Sequence, residues 1–198
     1  MVSFPVTDDL YAARNTITRR QMGPISTATL ILTTSSMANG DRAGFAMFRE
    51  SSAYIGIHKD NGAYKLVYVN NLLLEDSDNG WQTTAKGTTV LSKVLDKSLV
   101  WLRIISDSTP SGNTVKFYYS FDGKSFSVFG PAFQATTAWQ FFEGARYAIF
   151  NFATSALGGS ILVHNFEIAP MAYTGPALTI TTLPPYTSPS TTYTIEPW

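Results

Sequence analysis

Short runs of β-branched and aromatic residues recur along most of the chain, and each is bounded by glycine, asparagine, aspartate or serine. Such runs are typical of β-strands. The predicted strands are Ser26–Leu32, Gly44–Arg49, Ala53–His58, Ala63–Val69, Leu72–Leu74, Thr88–Leu91, Leu99–Ser106, Thr114–Ser120, Phe126–Phe129, Ala145–Phe152 and Ser160–Ile168. About a dozen strands with almost no helical periodicity predict an all-β fold, an antiparallel β-sandwich or jelly roll.

In the predicted strand Leu99–Ser106, alternate residues fall on opposite faces, and the two faces differ in character. Val100, Leu102 and Ile104 fall on one face of that strand, which places Trp101 and Arg103 on the other. The first set is typical of a core. An apolar side chain beside an arginine on the second face indicates a half-covered or concave surface.

Two dipeptides predict tight hairpin turns between neighbouring strands. They are Asn61-Gly62 and Asp122-Gly123. Both central positions of a type I′ turn have positive φ, which Asn, Asp and Gly tolerate best. Each dipeptide therefore predicts a two-residue hairpin.

The composition changes after Pro170, and this change divides the chain. The segment from Thr174 onwards is rich in threonine and proline and carries one charge, Glu196. Such a segment has too little apolar surface to fold alone. We expect an N-terminal lead-in over 1–10, a sandwich over 11–172 and a disordered tail over 173–198.

Charge and cysteine content narrow the function classes. The formal net charge is zero, and only 14% of residues are charged against about 25% in typical soluble domains. A nucleic-acid partner is not expected, because such proteins present a basic face. The chain has no cysteine, and therefore no disulfide or thiolate chemistry. Neither a secretory signal nor a membrane span is recognised, so the sequence leaves localisation open.

Metal ligands are sparse. His58 and His164 are far apart and lack the partners of a histidine metal motif. Asp76 and Asp78 lie in an acidic cluster, but Gly80 comes one position too early for an EF-hand loop. We expect no cofactor and leave open a structural calcium ion at these two aspartates.

Aromatic and amide side chains suggest sugar binding more than hydrolysis. No strand carries the paired carboxyl groups that a sandwich hydrolase needs, so no catalytic residue is assigned. Stacking on a sugar needs an exposed aromatic ring flanked by hydrogen-bonding groups. The candidates are Trp81, Trp101 with Arg103, and Trp139 with Gln140. The alternative for Trp101 and Trp139 is a buried or interfacial position.

Several segments together resemble one family. They include Gly40-Asp41-Arg42-Ala43-Gly44-Phe45-Ala46, Trp139-Gln140-Phe141-Phe142, Ile149-Phe150-Asn151-Phe152-Ala153-Thr154 and Leu157-Gly158-Gly159-Ser160. In order and spacing they resemble the C-terminal concanavalin A-like domain of family 43 glycoside hydrolases, the β-xylosidases and α-arabinofuranosidases. The resemblance covers roughly residues 11–170.

The resemblance implies a role beside a catalytic domain. In that family a five-bladed propeller holds the catalytic carboxylates, and a sandwich loop can present a phenylalanine at the active-site rim. The similar region here is Arg146–Thr154, which makes Phe150, with Phe152 as alternative, the rim candidate and Arg146 a candidate for the domain interface. Both phenylalanines are equally compatible with a core strand, in which they share one face.

The propeller itself is absent from this chain, and three functions stay open. The first is an accessory domain that completes a family 43 hydrolase acting on xylan or arabinan, and its partner is a catalytic propeller. The second is a free-standing carbohydrate-binding module for xylo- or arabino-oligosaccharides. The third is a small glycosidase with an unrecognised carboxylate pair. Because the first strands look shortened, we also expect self-association or dependence on a partner.

Overall fold

The computed structural model describes residues 1, 6–78, 80–137 and 144–171. These residues form β-strands without an α-helix. The strands are β1 (Thr16–Arg20), β2 (Ile25–Thr33), β3 (Asp41–Phe48), β4 (Ser51–Asp60), β5 (Ala63–Ser77), β6 (Gly80–Val94), β7 (Leu99–Asp107), β8 (Thr114–Ser120), β9 (Ser127–Val128), β10 (Phe133–Gln134), β11 (Arg146–Ala153) and β12 (Leu162–Met171).

The strands pair into two antiparallel sheets that pack face to face. The first sheet has the order β1-β11-β3-β4-β5-β6, and the second has the order β10-β8-β7-β2-β12 with β9 also paired to β8. Alternating apolar side chains from both sheets meet between them, as in β-sandwiches generally. The predicted all-β antiparallel sandwich is confirmed.

The core between the sheets consists of apolar side chains from both inner faces. Val100, Leu102 and Ile104 of β7 are fully buried there, as their alternation predicted. Tyr147 of β11 also reaches this core, and its hydroxyl lies 2.6 Å from Ser106 Oγ. This contact gives the buried tyrosine hydroxyl a polar partner between the sheets.

A second apolar cluster lies on the outer face of the first sheet. The N-terminal segment, residues 6–15, runs along this face, and the side chain of Leu10 in this segment is only 1% exposed. The hydroxyl of Tyr11 lies 3.1 Å from the carbonyl oxygen of Glu50, 3.0 Å from that of Leu72 and 2.9 Å from Ser52 Oγ. Both faces of the first sheet are therefore buried where this segment covers it.

The long hairpin of β5 and β6 is irregular. The pairs Tyr68 with Leu91 and Val69 with Thr89 leave Val90 as an extra residue in β6. Leu73 pairs with Ala85 and Leu74 pairs with Thr83, which leaves Thr84 as a second extra residue in β6. β6 is thus an edge strand interrupted by two β-bulges.

One predicted turn is confirmed and the other is wrong. Asn61 and Gly62 have φ values of 49° and 78°, and they join β4 to β5 as a two-residue hairpin. At the second site β8 and β9 are separated by the loop 121–126, and only Gly123 has positive φ. The physical reason is that Asp122 Oδ1 accepts hydrogen bonds from the backbone N–H groups of Lys124 and Ser125, which shapes a wider loop.

The strand boundaries also correct the sequence analysis in three places. β1 and β10 were not predicted, and the long β5–β6 hairpin differs from the prediction in both strands: β5 joins two predicted strands into one, and β6 extends well beyond the predicted Thr88–Leu91. The predicted tail over 173–198 lies outside the described residues, and the division into lead-in, sandwich and tail stays a prediction.

Candidate functional site

The face that carries Trp101 and Arg103 is occupied by the chain's own side chains. The guanidinium carbon of Arg103 lies 3.4 Å from the centroid of the Phe126 ring. Arg103 Nε also donates a hydrogen bond of 3.0 Å to Thr29 Oγ1. This geometry is a cation–π contact with a fixed guanidinium. Arg103 therefore holds the loop 121–126 against β7.

Trp101 packs against the same loop. A Cβ built on Gly123 would lie only 2.9 Å from Trp101 Nε1, so the indole lies directly against the backbone there. Asp122 next to it is fixed by hydrogen bonds from two backbone N–H groups, which hold the pKa of its carboxyl down at about 2. The ring of Trp101 is half-buried by this packing, and its role in sugar binding stays a prediction.

Trp81 lies in a different environment, near the tip of the β5–β6 hairpin. It is directly opposite Asp76 in the register and is 38% exposed. Asp76 and Asp78 are exposed on the same hairpin. The structure thus brings an aromatic ring and a carboxylate together at this tip, whereas Trp139 and Gln140 lie outside the described residues.

Phe150 and Phe152 lie under the N-terminal segment. They are 0% and 3% exposed, and their ring centroids are 5.7 Å apart, which confirms that they share one face. Tyr54 packs edge-on against Phe150 at 4.9 Å. Both phenylalanines therefore occupy core positions, which the sequence analysis left open as the alternative to a position at an active-site rim. Arg146, at the start of β11, is half-buried, and its Nη1 lies 3.4 Å from Thr18 Oγ1.

The two histidines have hydrogen-bonding partners of their own. Tyr54 Oη lies 3.0 Å from His58 Nε2, and Thr33 Oγ1 lies 2.8 Å from His164 Nε2. Burial, assisted by the positive charge of Arg42, lowers the pKa of His58 to about 3. No group of three or more metal-ligating side chains occurs in the described part of the chain. Calcium at Asp76 and Asp78 stays a prediction.

Several carboxylates have structural partners. These contacts are Asp60 with Arg42 at 3.0 Å, Glu50 with Arg49 at 2.7 Å, Asp8 with Lys86 at 2.6 Å, Asp107 with Thr109 at 2.7 Å and Asp122 with Ser120 at 2.8 Å. Glycoside hydrolysis needs two carboxyl groups that face one substrate. These partners give the five carboxylates a structural role, and the reading as a small glycosidase stays a prediction.

Two concave surfaces were missed by the sequence analysis, because residues far apart in the chain form each of them. The flank cleft lies between the edge strands β1 and β12. Its volume is about 330 Å³, and its lining residues are Arg19, Met22, Phe166 and Ile168. The end pocket, about 300 Å³, opens at one end of the sandwich and includes Gln21, Arg49, Asp107 and Asn113. Across the described residues, no helix is long and apolar enough to cross a membrane.

The two packed antiparallel sheets place the chain in the class of concanavalin A-like β-sandwich domains. Residues 5–168 match the family described as the β-xylosidase C-terminal concanavalin A-like domain, and the chain belongs to that family. No curated protein matches the chain.

One solved structure gives the same family assignment, and two more distant ones share the fold. The first is a GH43 glycoside hydrolase engineered to display both endo-xylanase and exo-arabinofuranosidase activity; it is 39% identical with a TM-score of 0.82, over 86% of this chain and 34% of that chain. A bifunctional GH43-CE protein of Bacteroides eggerthii is 24% identical with a TM-score of 0.73, over 85% of this chain and 22% of that one. GH43B of the Bacteroides ovatus xyloglucan PUL shares the fold at 15% identity, with a TM-score of 0.66, over 86% and 32%. This chain spans about a third or less of the length of these relatives.

Proposed function

We propose that this chain is the accessory sandwich of a family 43 glycoside hydrolase, that it packs against a catalytic domain, and that it supports hydrolysis of xylan or arabinan without activity of its own. Family membership supports the class of domain. The 39% identical relative, described by xylanase and arabinofuranosidase activities, supports the substrate class. That relative is about three times as long, which leaves room in it for a separate catalytic domain.

The observation that carries the proposal is the flank cleft. Ile17 and Arg19 of β1 lie opposite Ile149 and Tyr147 of β11, two residues of the core. They therefore face inward, towards the layer between the sheets. Ile17 is nevertheless 63% exposed, because the edge strand β1 is not covered by the second sheet.

The lining of the cleft fits a protein surface. Met22 on one side is 42% exposed, and Phe166 and Ile168 on the other side are half-buried. Together with the exposed Ile17 nearby, these apolar side chains are of the kind found at interfaces with another domain. Arg19 at the cleft adds a cation that can pair with a carboxylate at the border of that interface. We assign the flank cleft to the catalytic domain.

The test is reconstitution from separate parts. The catalytic domain of the 39% identical relative is produced alone, mixed with this chain, and followed by thermal unfolding and by kcat/KM on aryl xylosides and arabinofuranosides. We expect the chain to raise the Tm of the catalytic domain in a saturable way. Ile17→Asp should abolish this effect, since it places a charge in the interface.

Val128→Asp is the matched control. Val128 is 60% exposed, close to the value for Ile17, but it lies on β9, which pairs with β8 at the other side of the second sheet. We expect this variant to bind the catalytic domain normally. An unchanged Tm with the native chain, or equal losses from both variants, would contradict the proposal.

A free-standing carbohydrate-binding module is the second candidate, and the exposed Trp81 opposite Asp76 favours it. An aromatic ring beside a carboxylate offers both a stacking surface and an acceptor for sugar hydroxyl groups. Calorimetric titration with xylo- and arabino-oligosaccharides tests this candidate. Binding that Trp81→Ala abolishes would support it, and flat heats would exclude it.

A further inference from the structure

The end pocket is formed by a different set of residues from those that line the flank cleft. It opens where β1 and β7 end and where β8 and β11 begin, and it has a volume of about 300 Å³. That volume is at the lower end of the range for small-molecule sites. Most of the residues that line it have polar side chains, and three, Val115, Ala135 and Ala145, are apolar.

Two amide side chains at this pocket have open hydrogen-bonding capacity. Among the described residues, none bonds to the side-chain amide of Gln21 or to that of Asn113. Each amide offers two N–H donors and one carbonyl acceptor. Thr137 is a further lining residue with a polar side chain. The lining therefore includes both hydrogen-bond donors and acceptors.

Other side chains hold the wall of the pocket in place. Arg49 Nη1 donates a hydrogen bond to the carbonyl oxygen of Thr136, and Arg49 Nε lies 2.7 Å from Glu50 Oε2. Asp107 Oδ1 accepts hydrogen bonds from the backbone N–H and the hydroxyl of Thr109. A wall fixed in this way loses little conformational freedom when a ligand binds, which favours affinity.

The charge and the apolar part of the lining define the ligand. Arg49 is balanced by Glu50 and Asp107 is a further anion, so the pocket does not favour a phosphate or a sulfate. Val115 and Ala145 supply apolar surface. A pyranose ring has the matching chemistry, since it carries several hydroxyl groups, apolar C–H groups and no charge.

We propose that the end pocket binds one neutral pyranose or furanose unit of an oligosaccharide, through the side-chain amides of Gln21 and Asn113. The site goes beyond the proposed packing on a catalytic domain, and only the choice of xylose and arabinose probes rests on that function. The pocket is separate from the hairpin tip with Trp81 and from the face with Trp101.

The experiment is a ¹H–¹⁵N NMR titration of the full chain with xylobiose and with arabinobiose. We expect saturable shifts at the backbone amides of residues 21, 107–108, 113 and 136–137. Asn113 has a φ of 49°, so Asn113→Gly removes the amide without straining the backbone. Loss of one such hydrogen-bonding group should weaken binding about three- to tenfold. Gln21→Ala should weaken it to a similar degree.

Asn61→Gly is the matched control, because Asn61 also has a φ of 49° but lies in the β4–β5 turn. We expect its affinity for both sugars to equal that of the native chain. Shifts centred on Trp81 or Trp101, equal affinity of Asn113→Gly and the native chain, or displacement by inorganic phosphate would each overturn the proposal. A flat titration with intact stabilisation of the catalytic domain would overturn this inference alone and leave the proposed function standing.

Discussion

Replacement of Phe150 by alanine should strongly lower the free energy of unfolding, because the Phe150 ring lies in the core of this structure. It is 0% exposed, packs edge-on against Tyr54 at 4.9 Å and has its Cζ atom 3.0 Å from the position of a Cβ built on Gly44. A buried phenylalanine removes about 150–250 Å² from water, worth about 4–6 kcal/mol at 25 cal/mol per Å². Measured Phe→Ala substitutions in cores cost about 3–5 kcal/mol. We therefore expect a loss of about 4 kcal/mol.

The assay is urea unfolding followed by circular dichroism, with thermal unfolding beside it. For a domain of this size the loss corresponds to a fall in Tm of about 8–16 °C. Leu162→Ala is the control, since Leu162 is 59% exposed and its substitution should cost about 0.5 kcal/mol or less. A loss below about 1 kcal/mol for Phe150→Ala would refute the assignment of this ring to the core and return it to the rim of an active site.

Three further predictions concern polar side chains. Burial lowers the folded-state pKa of His58 to about 3, so the unfolded chain binds the proton first as pH falls below about 6.5. The free energy of unfolding should therefore drop by up to about 1.4 kcal/mol per pH unit down to pH 4. Urea unfolding at several pH values should show that the free energy of unfolding depends less steeply on pH in His58→Gln. Tyr11→Phe should cost about 1–2 kcal/mol in urea unfolding, because the hydroxyl loses its contacts with Glu50, Ser52 and Leu72, whereas equal stability would mean that these contacts contribute nothing net. Asp122→Ala should speed hydrogen exchange at the amides of residues 124 and 125, measured by NMR, and unchanged exchange rates would show that the carboxylate does not shape the loop.

Alternation predicted the sandwich well wherever one face of a strand meets the core and the other meets solvent. β7 is such a strand, and the buried set Val100, Leu102 and Ile104 was predicted from its sequence. β11 is different, because nearly all of its residues are buried. Its pattern predicted that Phe150 and Phe152 share a face, but it contained no information on which face that is, since the N-terminal segment covers the outer one.

The candidate site was harder to predict, for two physical reasons. β1 reads Thr-Ile-Thr-Arg-Arg and has almost no apolar face, because an edge strand buries little, so neither this strand nor the flank cleft beside it was found. The end pocket takes its side chains from strand ends that are separated by up to 124 residues, from Gln21 to Ala145. Gln21 and Asn113 each look like ordinary turn or loop residues in the sequence, and only the pairing of the strands brings them together.

The two bulges of β6 have a consequence for how the chain behaves at high concentration. An edge strand of this length is normally a template on which further chains add and grow into fibrils. Here the extra residues Thr84 and Val90 divide β6 into three stretches, the longest of which is 85–89. Cross-β zippers generally need segments of about six or seven residues in register. The irregular hairpin thus works as a safeguard against amyloid growth from this edge.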